Sequence, residues 1–283
     1  GTYGVAATTG NITDTGALTI TGLSTLVTSA DGADIELIET GHTFTGNVKV
    51  TTNEISTNAD AHATIDGGSS VGLKIEKGSE VQGDLTLRSG HANTITDEGS
   101  SGVVTVDGNL TATTYANNGS ITLDNLAVDG TIGLNTHGTG DATAVNDVNF
   151  AFAASTVGGD LSATATTGNI TQSTGALTVS GTTTLVTSAQ EATIDLTTIT
   201  TNAFTSQLLI TTNDNDSPTD GTYAADVTID GGTTNLIIGA STIDGDLTLL
   251  SGGTITDTDS STVTVKGALS ATTDAGSSAI TLN

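Results

Sequence analysis

Apolar residues along the chain come in pairs separated by a single polar residue. Leu18/Ile20, Ile35/Leu37, Val48/Val50, Leu73/Ile75, Leu85/Leu87, Val104/Val106, Leu110/Ala112 and Ile121/Leu123 all follow this rule. A period of two places alternate side chains on opposite faces of an extended strand. No comparable stretch carries a helical period. Between the pairs lie Asp-Gly steps: Asp31-Gly32, Asp66-Gly67, Asp107-Gly108, Asp129-Gly130, Asp230-Gly231 and Asp244-Gly245. Both residue types tolerate the positive φ that tight corners require. The pattern predicts an all-β chain of short strands and sharp turns. Ile12, Leu18, Ile20, Leu85 and Leu87 are expected to point inward, as are Ile170, Leu177, Val179, Leu247 and Leu249.

Comparison of the chain with itself shows two copies of one long unit. Thr8-Thr9-Gly10-Asn11-Ile12-Thr13 returns as Thr166-Thr167-Gly168-Asn169-Ile170-Thr171, and Thr25-Leu26-Val27-Thr28-Ser29-Ala30 as Thr184-Leu185-Val186-Thr187-Ser188-Ala189. The second offset is 159 residues (184 − 25). Thr64-Ile65-Asp66-Gly67-Gly68 matches Thr228-Ile229-Asp230-Gly231-Gly232, and Gly83-Asp84-Leu85-Thr86-Leu87 matches Gly245-Asp246-Leu247-Thr248-Leu249. A shorter repeat lies inside, marked by Gly-Asp-Leu at Gly83, Gly159 and Gly245. The expected domains are a first long repeat over 1–158 and a second, truncated one over 159–283, in one continuous solenoid.

Sandwich domains strung together would also give alternating strands, but they carry core aromatics and more proline in their loops. A solenoid tolerates repeats that drift in length, because each coil touches only its neighbours. The expected fold is therefore a parallel β-helix, or β-solenoid, with a repeat of about 159 residues. Coils of about 20 residues would number about 14, or about 70 Å of stacking at ~4.8 Å each.

Composition agrees with a thin aliphatic core. Aromatics make up 2% of the 283 residues, Gly contributes 36, Pro 1, and there is no Cys or Met. Disulfides and thiolate metal sites are thereby excluded. No apolar run is long enough for a membrane-spanning helix. The first residues, Gly1-Thr2-Tyr3-Gly4, read as the interior of a repeat. Lys+Arg 5 against Asp+Glu 31 gives a net charge of -26, which opposes nucleic acids and anionic membranes alike. Such charge keeps a repetitive surface soluble.

The phrases Gly10-Asn11-Ile12-Thr13, Gly175-Ala176-Leu177-Thr178-Val179 and Gly83-Asp84-Leu85-Thr86-Leu87 resemble the repeat region of large filamentous-haemagglutinin-like bacterial adhesins. The resemblance, one of repeat texture, covers the whole chain. It implies a right-handed parallel β-helix, export across a Gram-negative outer membrane, and a role in adhesion or matrix.

Candidate chemistry is sparse. No nucleophile elbow, zinc-binding helix or phosphate loop occurs, so the chain is expected not to be an enzyme. His42, His62, His91 and His137 all fall in the first repeat, in polar contexts, and their counterparts in the second copy are not His. The second copy inserts four residues into a stretch reading Asn213-Asp214-Asn215-Asp216-Ser217-Pro218-Thr219-Asp220-Gly221. Asp214, Asp216 and Asp220 there offer the hard oxygen ligands that calcium prefers; the plainer alternative is a solvated acidic loop. No other cofactor is expected. Paired threonines such as Thr94/Thr96 and Thr254/Thr256 read as exposed β-formers. Asn-x-Thr sequons stand at Asn11, Asn109 and Asn169.

The expected role is the shaft of a secreted or cell-surface bacterial fibre, serving adhesion, matrix or filament formation. Its partners would be further copies of itself, end to end or side by side, and a host or matrix surface. Both ends fall inside the repeat, which points to continuation into a filament. The alternative is a carbohydrate- or calcium-dependent binding module displayed on the solenoid loops.

Overall fold

The structure, a computed structural model, describes residues 1–56, 60–90, 94–99, 101–214, 223–258, 261–274 and 278–283. Among these there is no helix. The chain is all-β, a β-solenoid of about 12 coils whose strands pair in parallel. It divides into two compact units, Gly1–Ala144 and Val145–Asn283.

In the first unit each coil contributes one strand to a shared face. The strands Ile12–Thr13, Ile35–Leu37, Ala63–Asp66, Leu85–Ser89, Leu110–Thr114 and Thr131–Asn135 succeed one another there. Their register is unbroken: Ile35 lies on Ala63, Ala63 on Leu85, Leu85 on Leu110 and Leu110 on Ile132. A second face stacks Tyr3–Ala7, Ser24–Thr28 and Val48–Thr51. A third starts with Thr19–Ile20 on Thr43–Phe44. The second unit repeats the plan, with Phe150–Phe152, Ile170–Gln172 and Ile194–Leu196 in order, then Val227–Asp230, Leu247–Ser251 and Leu269–Thr273.

β-Branched and aliphatic residues form these strands because each buries alternate side chains, as in the buried–intermediate alternation of Ser24–Thr28 and Leu161–Ala165. Like residues then stack coil upon coil into a dry core. Nine of the ten residues expected to point inward are buried, and Leu18 is half-buried. Leu18 stands one residue before its strand, in a corner.

Two expectations need correction. Coils are fewer than anticipated, because corners lengthen them beyond about 20 residues; the coil from Ile35 to Ala63 takes 28 (63 − 35). The glycines of the Asp-Gly steps are also required for different reasons. Gly32 does have a positive φ, 64°. Gly108 and Gly130 do not; they lie stacked, with Gly130 N donating to Gly108 O at 3.1 Å. A Cβ on Gly130 would stand 2.4 Å from that oxygen. Close approach of neighbouring coils selects glycine there.

Candidate functional site

Polar side chains gather at the coil corners, where the backbone leaves one strand and turns toward the next. Amides at a corner have no strand partner and must find another acceptor. Side chains of the preceding coil supply it. Asn11 Oδ1 accepts from Asp34 N at 3.0 Å, and Asp34 Oδ1 from His62 N at 2.9 Å. His62 Nδ1 then accepts from Asp84 N (2.9 Å), Asp84 Oδ1 from Asn109 N (2.7 Å), and Asn109 Oδ1 from Thr131 N (2.9 Å). Each capping residue immediately precedes a strand of the same face, so the caps form a continuous ladder. The second unit builds the same device from Asn149 to Asn169 and Asn169 to Thr193, then from Asp226 to Asp246 and Asp246 to Ala268.

The ladder gives the Gly-Asp-Leu phrase a physical meaning. At Gly83, Gly159 and Gly245 the carbonyl accepts the amide of a glycine one coil later, namely Gly108, Gly181 and Gly267. The aspartate that follows caps the next corner, Asp160 on Thr182 N (2.7 Å) and Asp246 on Ala268 N (2.6 Å). The sequon asparagines Asn11, Asn109 and Asn169 are rungs of this ladder, with their side-chain amides turned to the neighbouring coil.

One corner cluster is built on a buried histidine. His42 has no exposed surface. Its Nδ1 accepts from Leu18 N at 2.9 Å. Its Nε2 stands 3.0 Å from Asp14 Oδ2, at an angle poor for a hydrogen bond. Asp14 in turn accepts from Ile38 N (3.1 Å) and Glu39 N (3.2 Å). Sequence reasoning, which took His42 for a polar loop residue, missed this. The available signal was Phe44, two residues on, whose ring lies 5.3 Å from the imidazole.

A second cluster surrounds Asp66, also fully buried. Asp66 Oδ1 accepts from Gly68 N (2.8 Å) and from the Tyr115 hydroxyl (2.9 Å). Arg88 Nε lies 3.7 Å from the other oxygen, and its guanidinium covers the Tyr115 ring at 5.5 Å. Burial, reinforced by the hydrogen bond to Asp66, pushes the Tyr115 phenol up to about 12. A third lies around Asp97, also buried, which accepts from Asp124 N (2.9 Å) and Asn125 N (2.8 Å). Desolvation raises its carboxyl above the ordinary range, although those amides pull it down. The neighbouring Asp124 is held low by Lys77, 3.1 Å away.

Of the calcium candidates, Asp216 and Asp220 lie outside the described residues. Asp214 is buried, with Oδ1 accepting from Gln190 Nε2 (3.0 Å) and Oδ2 from Ala224 N (3.2 Å). Its own amide donates to Asp244 Oδ2 (3.0 Å), and Lys266 Nζ stands 3.1 Å from Asp244 Oδ1. Both Asp214 carboxylate oxygens are thus engaged within the fold. Among the described residues no group of three or more His, Asp or Glu is arranged to hold a metal ion.

Parallel strands, stacked coils and capped corners define the class: a β-solenoid repeat protein. More specifically, the chain belongs to the family described as repeats of unknown function (DUF5649), which matches residues 1–51, 60–141, 139–211 and 224–283. No curated protein and no solved structure matches it.

Proposed function

We propose that the chain is a shaft segment of a secreted or cell-surface fibre, a structural element of adhesion, matrix or filament formation. The observation that carries this reading is the corner ladder. Side chains able to recognise a ligand are instead spent on the next coil of the same chain, in both units and at the same place before the strand. Successive coils with matched register and aligned caps suit a repetitive stack better than a pocket. High negative charge suits an exposed repetitive surface, since it opposes unwanted edge-to-edge association. Partners on this reading are further solenoid coils, end to end or side by side, and the surface that the fibre meets.

Immunogold labelling of intact producing cells tests this, with antibodies raised against the folded chain. Label along thin surface filaments, removed by protease treatment of whole cells, is the expected result. Label confined to the cell interior would overturn the proposal.

A further inference from the structure

The two units meet one structural requirement with different chemistry. Asn11-Ile12-Thr13-Asp14 corresponds to Asn169-Ile170-Thr171-Gln172, and His42 precedes Phe44 as Asn202 precedes Phe204. Leu18 N donates to His42 Nδ1 at 2.9 Å; its counterpart Leu177 N donates to Asn202 Oδ1, also at 2.9 Å. Asn202 and Gln172 complete two reciprocal amide bonds, at 2.8 and 3.0 Å. An imidazole–carboxylate pair in the first unit thus replaces a pair of neutral amides in the second. From this we infer that the corner joining residues 14–18 to 38–42 is an acid-sensitive latch, and that the equivalent corner of the second unit is insensitive to acid.

The argument is one of donor count. Accepting from Leu18 N–H leaves Nδ1 without a proton and places the ring proton on Nε2, toward Asp14. A second proton can enter only at Nδ1, where it meets the Leu18 N–H head on. Both nitrogens of an imidazolium are donors, so the half-buried Leu18 N–H loses its acceptor and faces a second donor instead. Protonating Asp14 instead weakens its hold on the Ile38 and Glu39 amides, so either proton opens the same corner. Amide side chains have no proton to gain in this range.

The charged surroundings do not offset this. Asp14 faces Nε2 from the preceding coil. On the ring's own segment Glu39 contributes its backbone, its carbonyl accepting from His42 N at 3.3 Å, and its side chain is exposed. From the following coil Gly68 packs under the His42 carbonyl. Asp66, two residues before Gly68, is already engaged by Gly68 N, Tyr115 and Arg88.

Amide hydrogen exchange on the full chain tests the latch, read as protection factors so that the intrinsic rate cancels. Between about pH 8 and about pH 5, where imidazoles gain their proton, protection at Leu18 should fall at least about tenfold relative to Leu177. The double variant Asp14→Gln, His42→Asn, which copies the second unit, should abolish that fall. Equal behaviour of Leu18 and Leu177, or a fall that persists in the double variant, would overturn the inference. Should the variant fail to fold, the ring 15N shifts of His42 in the unaltered chain decide. An imidazolium appearing in step with the loss at Leu18 supports the latch. An imidazolium beside a still-protected Leu18, or lost protection beside a neutral ring, refutes it.

Discussion

Asp66 and Asp230 occupy the same position of the repeat, each accepting the amide of a glycine two residues on, Gly68 at 2.8 Å and Gly232 at 2.7 Å. Their surroundings differ. Over Asp66 lie Arg88 and Tyr115; at the matching places beside Asp230 stand Leu250, in register with it, and Asp274. The first carboxylate is sealed, whereas the second lines a groove of about 530 Å³ with Asp274, Gly232 and Gly252. Together with the exchange of His42 and Asp14 for Asn202 and Gln172, this separates two kinds of constraint. Strand interiors and the corner amides are common to both units. What satisfies a corner varies, provided that an acceptor of the right reach is present.

Substitutions in the shared parts should therefore damage both units alike. Leu85→Asp and Leu247→Asp each place a charge in the aliphatic core, at a cost of several kcal/mol or about 5 kcal/mol if it stays ionised. Thermal melting followed by circular dichroism should show the loss for both, and a variant that melted like the parent would refute the inward assignment. Next in size come Gly68→Ala and Gly232→Ala. Both glycines have a positive φ, 74° and 68°, and a Cβ would stand 2.1 and 2.2 Å from the carbonyl oxygens of His42 and Asn202. Losses of about 2 kcal/mol or more are expected in denaturant titrations of each, and a harmless substitution in only one unit would break the equivalence.

Smaller effects belong to the parts that differ. Asn202→Ala strands Leu177 N–H and Gln172 Oε1, which should cost about 1–3 kcal/mol; Asn202→His, without its carboxylate partner, should restore only part of that. At the smallest end, Glu191 has a φ of 57° where the first unit has Gly32 at 64°. Both amides donate to the same neighbour, Asn213 O and Asn53 O. Glu191→Gly should therefore stabilise the chain by about 0.5–1 kcal/mol, the left-handed strain relieved less the added freedom of the unfolded chain. A destabilised variant would show that the Glu191 side chain contributes more than its backbone costs.

Strands were legible because their signal is local. Two apolar residues around one polar residue suffice to orient Leu85/Leu87 or Val104/Val106, and the structure buries all four. Corners were not, because each cap is defined by a residue a whole coil away. Asn11 and Asp34 are 23 positions apart, Asp34 and His62 are 28, and this drift hides the ladder from any fixed spacing. The same remoteness concealed the burial of His42 and the capping role of the exposed Asn11, Asn109 and Asn169. Gly108 and Gly130 were marked correctly as special, but their reason, a backbone stacked against them, lies outside their own neighbourhood.

The caps of the corner ladder all run one way. Asn11, Asp34, Asp84 and Asn109 in one unit, and Asn149, Asn169, Asp226 and Asp246 in the other, accept amides from the coil that comes later in the chain. A finished coil therefore presents an ordered row of empty acceptors to the residues that follow it, and bare donors to those before it. Growth from the amino-terminal side lays each new corner onto a prepared template, whereas growth in reverse asks flexible side chains to find amides already fixed. The ladder thus has a built-in reading direction, the same one in which the chain is synthesised.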